Sequence, residues 1–127
     1  METELKEVYV PTEQDLYFME HADLKVAQLS QDPASKVGAV LVKDDEMVEV
    51  GYNQLPDGCE DLPERYERPL KYDWINHAEP TLIINAARKG IATDGCDIYM
   101  NWYPCHVCAG FIVQAGIRRL FVDQEPE

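Results

Sequence analysis

Residues 96–123 read CDIYMNWYPCHVCAGFIVQAGIRRLFVD. The segment opens on an apolar strand pattern, CDIYMNW, at 96–102. Pro104 then opens a helix, with Cys105 and Cys108 in its first turn, because proline lacks the N–H that an interior turn needs and fits only near a helix start. Ala115-Gly116 ends that helix, glycine being the common residue just past a helix end. RRLFVD, 118–123, is strand-like again. Two strands joined through a helix form a right-handed crossover and lie parallel. This unit sets the fold class.

Upstream, a helix is expected from about residue 77 to 89. Pro80 belongs in its first turn, Leu82, Ile83, Ala86 and Ala87 face inward, and Gly90 is the stop. VGAVLV, 37–42, is a β-branched run suited to a buried strand. KDDE turns the chain, and MVEVGYN alternates as a second, antiparallel strand. At the N-terminal side a helix is expected over about 13–30. Thr12 caps it with Asp15 as the reciprocal partner, and Leu16, Met19, Ala22, Val26 and Leu29 form an apolar stripe. His21 lies beside that stripe and reads as structural. Residues 54–73 show no period and carry Pro56, Pro63 and Pro69; a short helical turn fits within them, and long loops of this kind tend to be functional. The order helix, strand, strand, helix, strand, helix, strand predicts a three-layer α-β-α domain. Its sheet is mixed, an antiparallel hairpin joined to a parallel βαβ part.

The 127 residues suit one domain, with its core over about 13–122 and a short acidic end, DQEPE. Hydrophobic content of 46% argues against disorder. No apolar run approaches a membrane span, and METELKEVYVP lacks the basic-then-apolar pattern of an export signal. A cytoplasmic protein without a membrane partner is expected. The net charge of −13, from 11 basic and 24 acidic residues, disfavours a large nucleic-acid partner, which needs a basic face. The four cysteines are Cys59, Cys96, Cys105 and Cys108. Without an export signal, metal binding or catalysis is a better expectation for them than disulfides. Cys59 and Cys96 are isolated and read as packing residues.

The chemistry concentrates in NHAEP, 76–80, and in PCHVC, 104–108. Both stand where a helix begins. The spacing of Cys105 and Cys108 puts their sulfurs on one face of a turn, and His77 offers a third ligand from the neighbouring helix. Three protein ligands and one open position make a catalytic rather than a structural Zn²⁺ site. Helix N-termini add positive potential that favours thiolate. Glu79 is adjacent without having to be a ligand, and its expected task is proton transfer.

His-x-Glu followed by Pro-Cys-x-x-Cys is the signature of zinc nucleobase deaminases. With DPASKVGAVLV, GYN, ERPLKYDWINHAE, NAARKG and WYPCHVCAGFIVQAGIRRL, the chain resembles the deoxycytidylate (dCMP) deaminase family of the cytidine deaminase-like superfamily over about residues 15–122. The resemblance implies hydrolytic deamination of dCMP to dUMP and ammonia, with water attacking C4 of cytosine. It implies that Glu79 moves protons, that Asn53 bonds the sugar, that the backbone around Ala78 reads the pyrimidine edge, and that Tyr103 packs on base or sugar. Ser35, Lys36, Arg65, Arg68 and Lys71 are the candidates for the phosphate. It also implies a homo-oligomer, a hexamer among the assemblies. In relatives a GYNG loop is tied to regulation by dCTP and dTTP; here it reads GYNQ, with Gln54 in the glycine position, and Thr81 stands where an Asn is usual.

Other readings stay open at this level. A deaminase of dCTP, a 5-modified dCMP, cytidine, cytosine or guanine would share the motif. A tRNA adenosine deaminase would too, against the charge. A structural zinc module would need a fourth ligand from His106, Cys59 or Cys96. A thiol redox pair would leave His77 and Glu79 without a role.

Overall fold

The computed structural model describes residues 9–123; the first eight residues, and with them most of METELKEVYVP, and all of the acidic end but Asp123 lie outside the described residues. The elements are α1 (Glu13–His21), β1 (Gly38–Lys43), β2 (Glu46–Tyr52), α2 (Lys71–Trp74), α3 (Ala78–Arg88), β3 (Asp97–Met100), α4 (His106–Gln114) and β4 (Arg119–Val122). The sheet order is β2-β1-β3-β4. β1 is antiparallel to both β2 and β3, while β3 and β4 are parallel through α4. The mixed α/β sheet therefore has the hairpin and the crossover unit that the sequence predicts.

The apolar run of β1 serves two layers. Ala39 and Leu41 join Ala78, Leu82, Ala86, Ile98, Met100 and Ile112 beneath α3 and α4. Val40 and Val42 join Phe18, Ala22, Val26 and Tyr99 beneath α1. Successive side chains point to opposite faces of a strand, so a strand covered on both faces is apolar throughout. Asp44 and Asp45, at φ 50° and 63°, form the hairpin turn, where two left-handed residues match the twist of the strands.

The capping box of Thr12 and Asp15 is present, but the apolar stripe of the first helix differs from expectation. Phe18, Ala22 and Val26 are buried, whereas Leu16 and Leu29 are 56% and 55% exposed. One contact and one change of winding account for this. Phe18 packs against Tyr99, with ring centroids 5.2 Å apart. Beyond His21 the winding changes to a π turn at Ala22–Val26 and a 3₁₀ turn at Ala27–Leu29, which breaks the 3.6-residue period. Gly38 faces the Ala22 carbonyl and the Ala27 backbone, in space that a Cβ would occupy.

The Pro-rich stretch after β2 folds over the edge of the domain as a 3₁₀ turn at Pro63–Tyr66 and the short α2. It returns to the core through a two-way bridge: Gln54 N–H donates to Asn76 O at 3.0 Å, and Asn76 N–H to Gln54 O at 2.8 Å.

Candidate active site

That bridge fixes the residue before His77. His77 is the N-cap of α3, with φ −67° and ψ 165°. Cys105 is the N-cap of α4, with φ −67° and ψ 167°. The expectation that Cys105 lies in the first helical turn is corrected: Pro104 precedes the cap, and the helix begins at His106. Extended caps turn both side chains out of their helices and toward the gap between them. Cys108, in the first turn of α4, donates its N–H to Cys105 Sγ at 3.5 Å. Thr81 Oγ1 donates to His77 O at 2.7 Å and tightens the start of α3. Gln54 and Thr81 thus bracket the histidine.

His77 Nδ1 lies 3.8 Å from Cys105 Sγ and 3.3 Å from Cys108 Sγ. One donor atom from each of the three residues falls within 4.8 Å of the others. Zn–S bonds of about 2.3 Å and Zn–N bonds of about 2.0 Å at a tetrahedral angle separate N and S by roughly 3.5 Å. The donor set fits a zinc ion. No fourth His, Cys, Asp or Glu joins the group among the described residues. Cys96 is buried elsewhere, with its Sγ 3.4 Å from Ala92 O, so it is not the fourth ligand of a structural site.

Burial pushes the Cys108 thiol up, and the Glu79 carboxylate beside it adds to the shift. Glu79 is 3% exposed. Burial raises its carboxyl above the ordinary carboxylate range, while its own N–H, the Cys108 thiol and His77 pull in the other direction. A carboxyl raised by burial holds a proton more readily than an exposed one, which suits a group that takes and returns protons.

A cavity of about 230 Å³ opens beside these groups. Of the residues singled out from the sequence, Ser35, Asn53, Arg68, Lys71, Ala78, Glu79, Tyr103, His77 and Cys105 line it. Cys108 lies behind, buried. Lys36 and Arg65 do not line it. The Lys36 ammonium donates to Ser30 O instead, and the Arg65 guanidinium stacks 3.9 Å from the Trp74 ring centre while donating to Glu60 O at 2.6 Å. The walls also include Val37, Tyr72, Ile75 and Trp102, which sequence reasoning missed. Trp102 directly precedes Tyr103 just past the end of β3, and that adjacency was the available signal.

Asn53 is 6% exposed and largely committed. Its Oδ1 accepts the Val37 N–H at 2.9 Å, and its Nδ2 donates to Ser35 O at 2.8 Å. One amide hydrogen is left over for a ligand.

The profile of the cytidine and deoxycytidylate deaminase zinc-binding region matches residues 12–124. The chain belongs to this family. It is 42% identical over 111 residues to mouse deoxycytidylate deaminase, covering 82% of this chain and 61% of that enzyme. The chain thus spans about three fifths of that relative's length. It is 38% identical over 110 residues to an uncharacterised deaminase from the luxG 3′ region of Aliivibrio fischeri, covering 87% of this chain and 72% of that protein. The fold superposes on the dCMP deaminase of cyanophage S-TIM5 in complex with dCMP and dUMP with a TM-score of 0.76. That match has 26% identity and covers 90% of this chain and 83% of the other. His77, Cys105 and Cys108 are the zinc-type ligand set of this zinc-binding deaminase family.

Proposed function

We propose that the chain hydrolyses dCMP to dUMP and ammonia, with His77, Cys105 and Cys108 holding Zn²⁺. The observation that carries this reading is the placement of buried Glu79 beside the ligand group, in a cavity that Arg68 also lines. Zinc, when bound, supplies Lewis acidity toward water. Glu79 takes a proton from the attacking water and returns it to N3 of the cytosine. The C4–N bond then breaks, and a second proton passing through Glu79 lets the amino group leave as ammonia. The N–H of Ala78, at the first helical position, has no partner inside α3 and suits the pyrimidine edge. The remaining amide hydrogen of Asn53 suits the sugar. Tyr103 gives an aromatic wall, and Arg68 a planar cation for a phosphate.

The monophosphate is favoured over the free nucleoside because a protein of net charge −13 nonetheless places Arg68 on the cavity wall with no carboxylate partner among the described residues. Ultraviolet spectroscopy of the zinc-loaded protein with dCMP, deoxycytidine, cytidine, cytosine and dCTP tests this. A cytosine-to-uracil change fastest with dCMP is expected. Equal rates with deoxycytidine would remove the phosphate from the reading, and silence across the panel would remove cytosine.

A further inference from the structure

The two cations on the cavity wall differ in kind. Arg68 forms no ion pair with a carboxylate among the described residues; its guanidinium stands 5.8 Å from the Tyr72 ring centre. Lys71 Nζ lies 2.7 Å from Asp32 Oδ2, and the two side chains are 13% and 0% exposed. Asp32 is held by its own chain neighbours. Its Oδ1 accepts the N–H groups of Ala34 and Ser35 at 2.9 and 3.2 Å, and its N–H donates to Ser30 Oγ at 3.2 Å. Oδ2 meets no hydrogen-bond donor in good alignment, so the ion pair with Lys71 is its sole compensation.

We propose that Asp32 is a specificity-determining residue: it cancels the charge of Lys71, so that an anionic ligand meets one uncompensated cation, Arg68. The pocket then gains less from each added phosphate charge, which favours a monophosphate over a triphosphate. This rests on the reading of the cavity as a nucleotide site. The carboxyl of Asp32 stays ionised at neutral pH. Burial alone would raise it, but Lys71 and the two backbone donors outweigh burial and hold it below the ordinary range. Charge pairs at hydrogen-bond distance in a site shielded from water act far more strongly than exposed ones, so a buried partner controls what Lys71 offers a ligand.

Calorimetric titration of the zinc-loaded full chain with dUMP, dUTP and deoxyuridine tests the proposal. Asp32→Asn keeps the shape and frees the lysine charge. It is expected to tighten dUMP about threefold and dUTP about tenfold, leaving deoxyuridine unmoved. A dUTP-to-dUMP affinity ratio that stays level or falls overturns it, because Asp32 would then be either a bystander or a prop that holds Lys71 on the phosphate. The double variant Asp32→Asn with Lys71→Gln carries no charge at either site and decides the matter if the single variant does not fold. Its ratio is expected to match that of the parent chain, and a ratio lowered severalfold overturns the cancellation. Arg68→Gln separates the two levels of the argument. It is expected to weaken dUMP about tenfold with deoxyuridine unchanged. If the parent chain binds dUMP and deoxyuridine alike, the nucleotide reading itself falls, and this inference with it.

Discussion

His77 Nδ1 lies 3.3 Å from Cys108 Sγ, although they stand 31 positions apart in the chain. Two helix starts with matching cap geometry bring them together, and the ligand group depends on all three donors. Cys105→Ala and His77→Ala are each expected to reduce bound zinc from about one ion per chain to less than about a tenth at limiting free metal, since either leaves only two protein ligands. Inductively coupled plasma mass spectrometry of the desalted proteins measures this. Full zinc retention in both variants would mean that the metal is held elsewhere.

Glu79 sits beside the ligands without belonging to the group. Glu79→Gln keeps its size, so zinc content is expected to stay at the parent level. Turnover of dCMP is expected to drop by about 10²- to 10⁴-fold, the range for loss of a positioned proton carrier. Parallel metal analysis and a spectrophotometric rate assay check both halves. A variant with more than about a tenth of parental activity would take the proton-transfer role from Glu79.

Gly51 of β2 lies against the start of α3. A Cβ there would meet Leu82 N at 2.5 Å, Leu82 Cα at 2.7 Å and Ala78 O at 2.8 Å. The obstacles are backbone atoms of the helix that carries His77 and Glu79, so they cannot swing aside. Gly51→Ala is expected to destabilise the chain by about 1–3 kcal/mol, as overpacking does. Urea unfolding measures it, and an unchanged midpoint would show that α3 shifts freely on the sheet.

Asp15 closes the opposite layer. Tyr99 Oη donates to its Oδ1 at 2.5 Å, Tyr9 Oη donates to Oδ2, and the Thr12 N–H donates to Oδ2 at 3.0 Å. Burial would raise this carboxyl, but these donors outweigh burial and hold it at about 2. An unfolded aspartate titrates near ~3.9. The folded value is the lower one, so the contribution is fully present above the unfolded value and is lost as pH falls from about 4 toward 2. Asp15→Asn is therefore expected to lower the melting temperature by a few degrees, roughly, at pH 7, with the gap to the parent chain closing below about pH 4. Thermal melts across that window check it; a gap independent of pH would assign the loss to packing.

Much of the fold follows from local chemistry. Pro80 and Pro104 mark helix starts because proline belongs there. VGAVLV marks a strand covered on both faces, and Asp44-Asp45 marks a tight hairpin. The first helix shows the limit of such reading. The buried face departs from its 3.6-residue stripe: the winding changes to a π turn at Ala22–Val26, and the core contact runs through Phe18 to Tyr99, which lies far along the chain. His77, Glu79, Cys105 and Cys108 were readable as a group because each chemistry-bearing residue stands at a fixed offset from a helix start.

The cavity's cations were not readable in that way. Lys36, Arg65, Arg68 and Lys71 are equivalent in the sequence, since charge alone does not say which way a long side chain turns. Only the tertiary structure bonds Lys36 to Ser30, stacks Arg65 on Trp74, and pairs Lys71 with Asp32 while Arg68 lines the cavity with no carboxylate partner among the described residues. The sequence by itself determined the ligand types and the order of layers, because both depend on residue type at short spacing. The tertiary structure decided which charges survive at the cavity wall, because that depends on which neighbours long-range folding brings within a few ångströms.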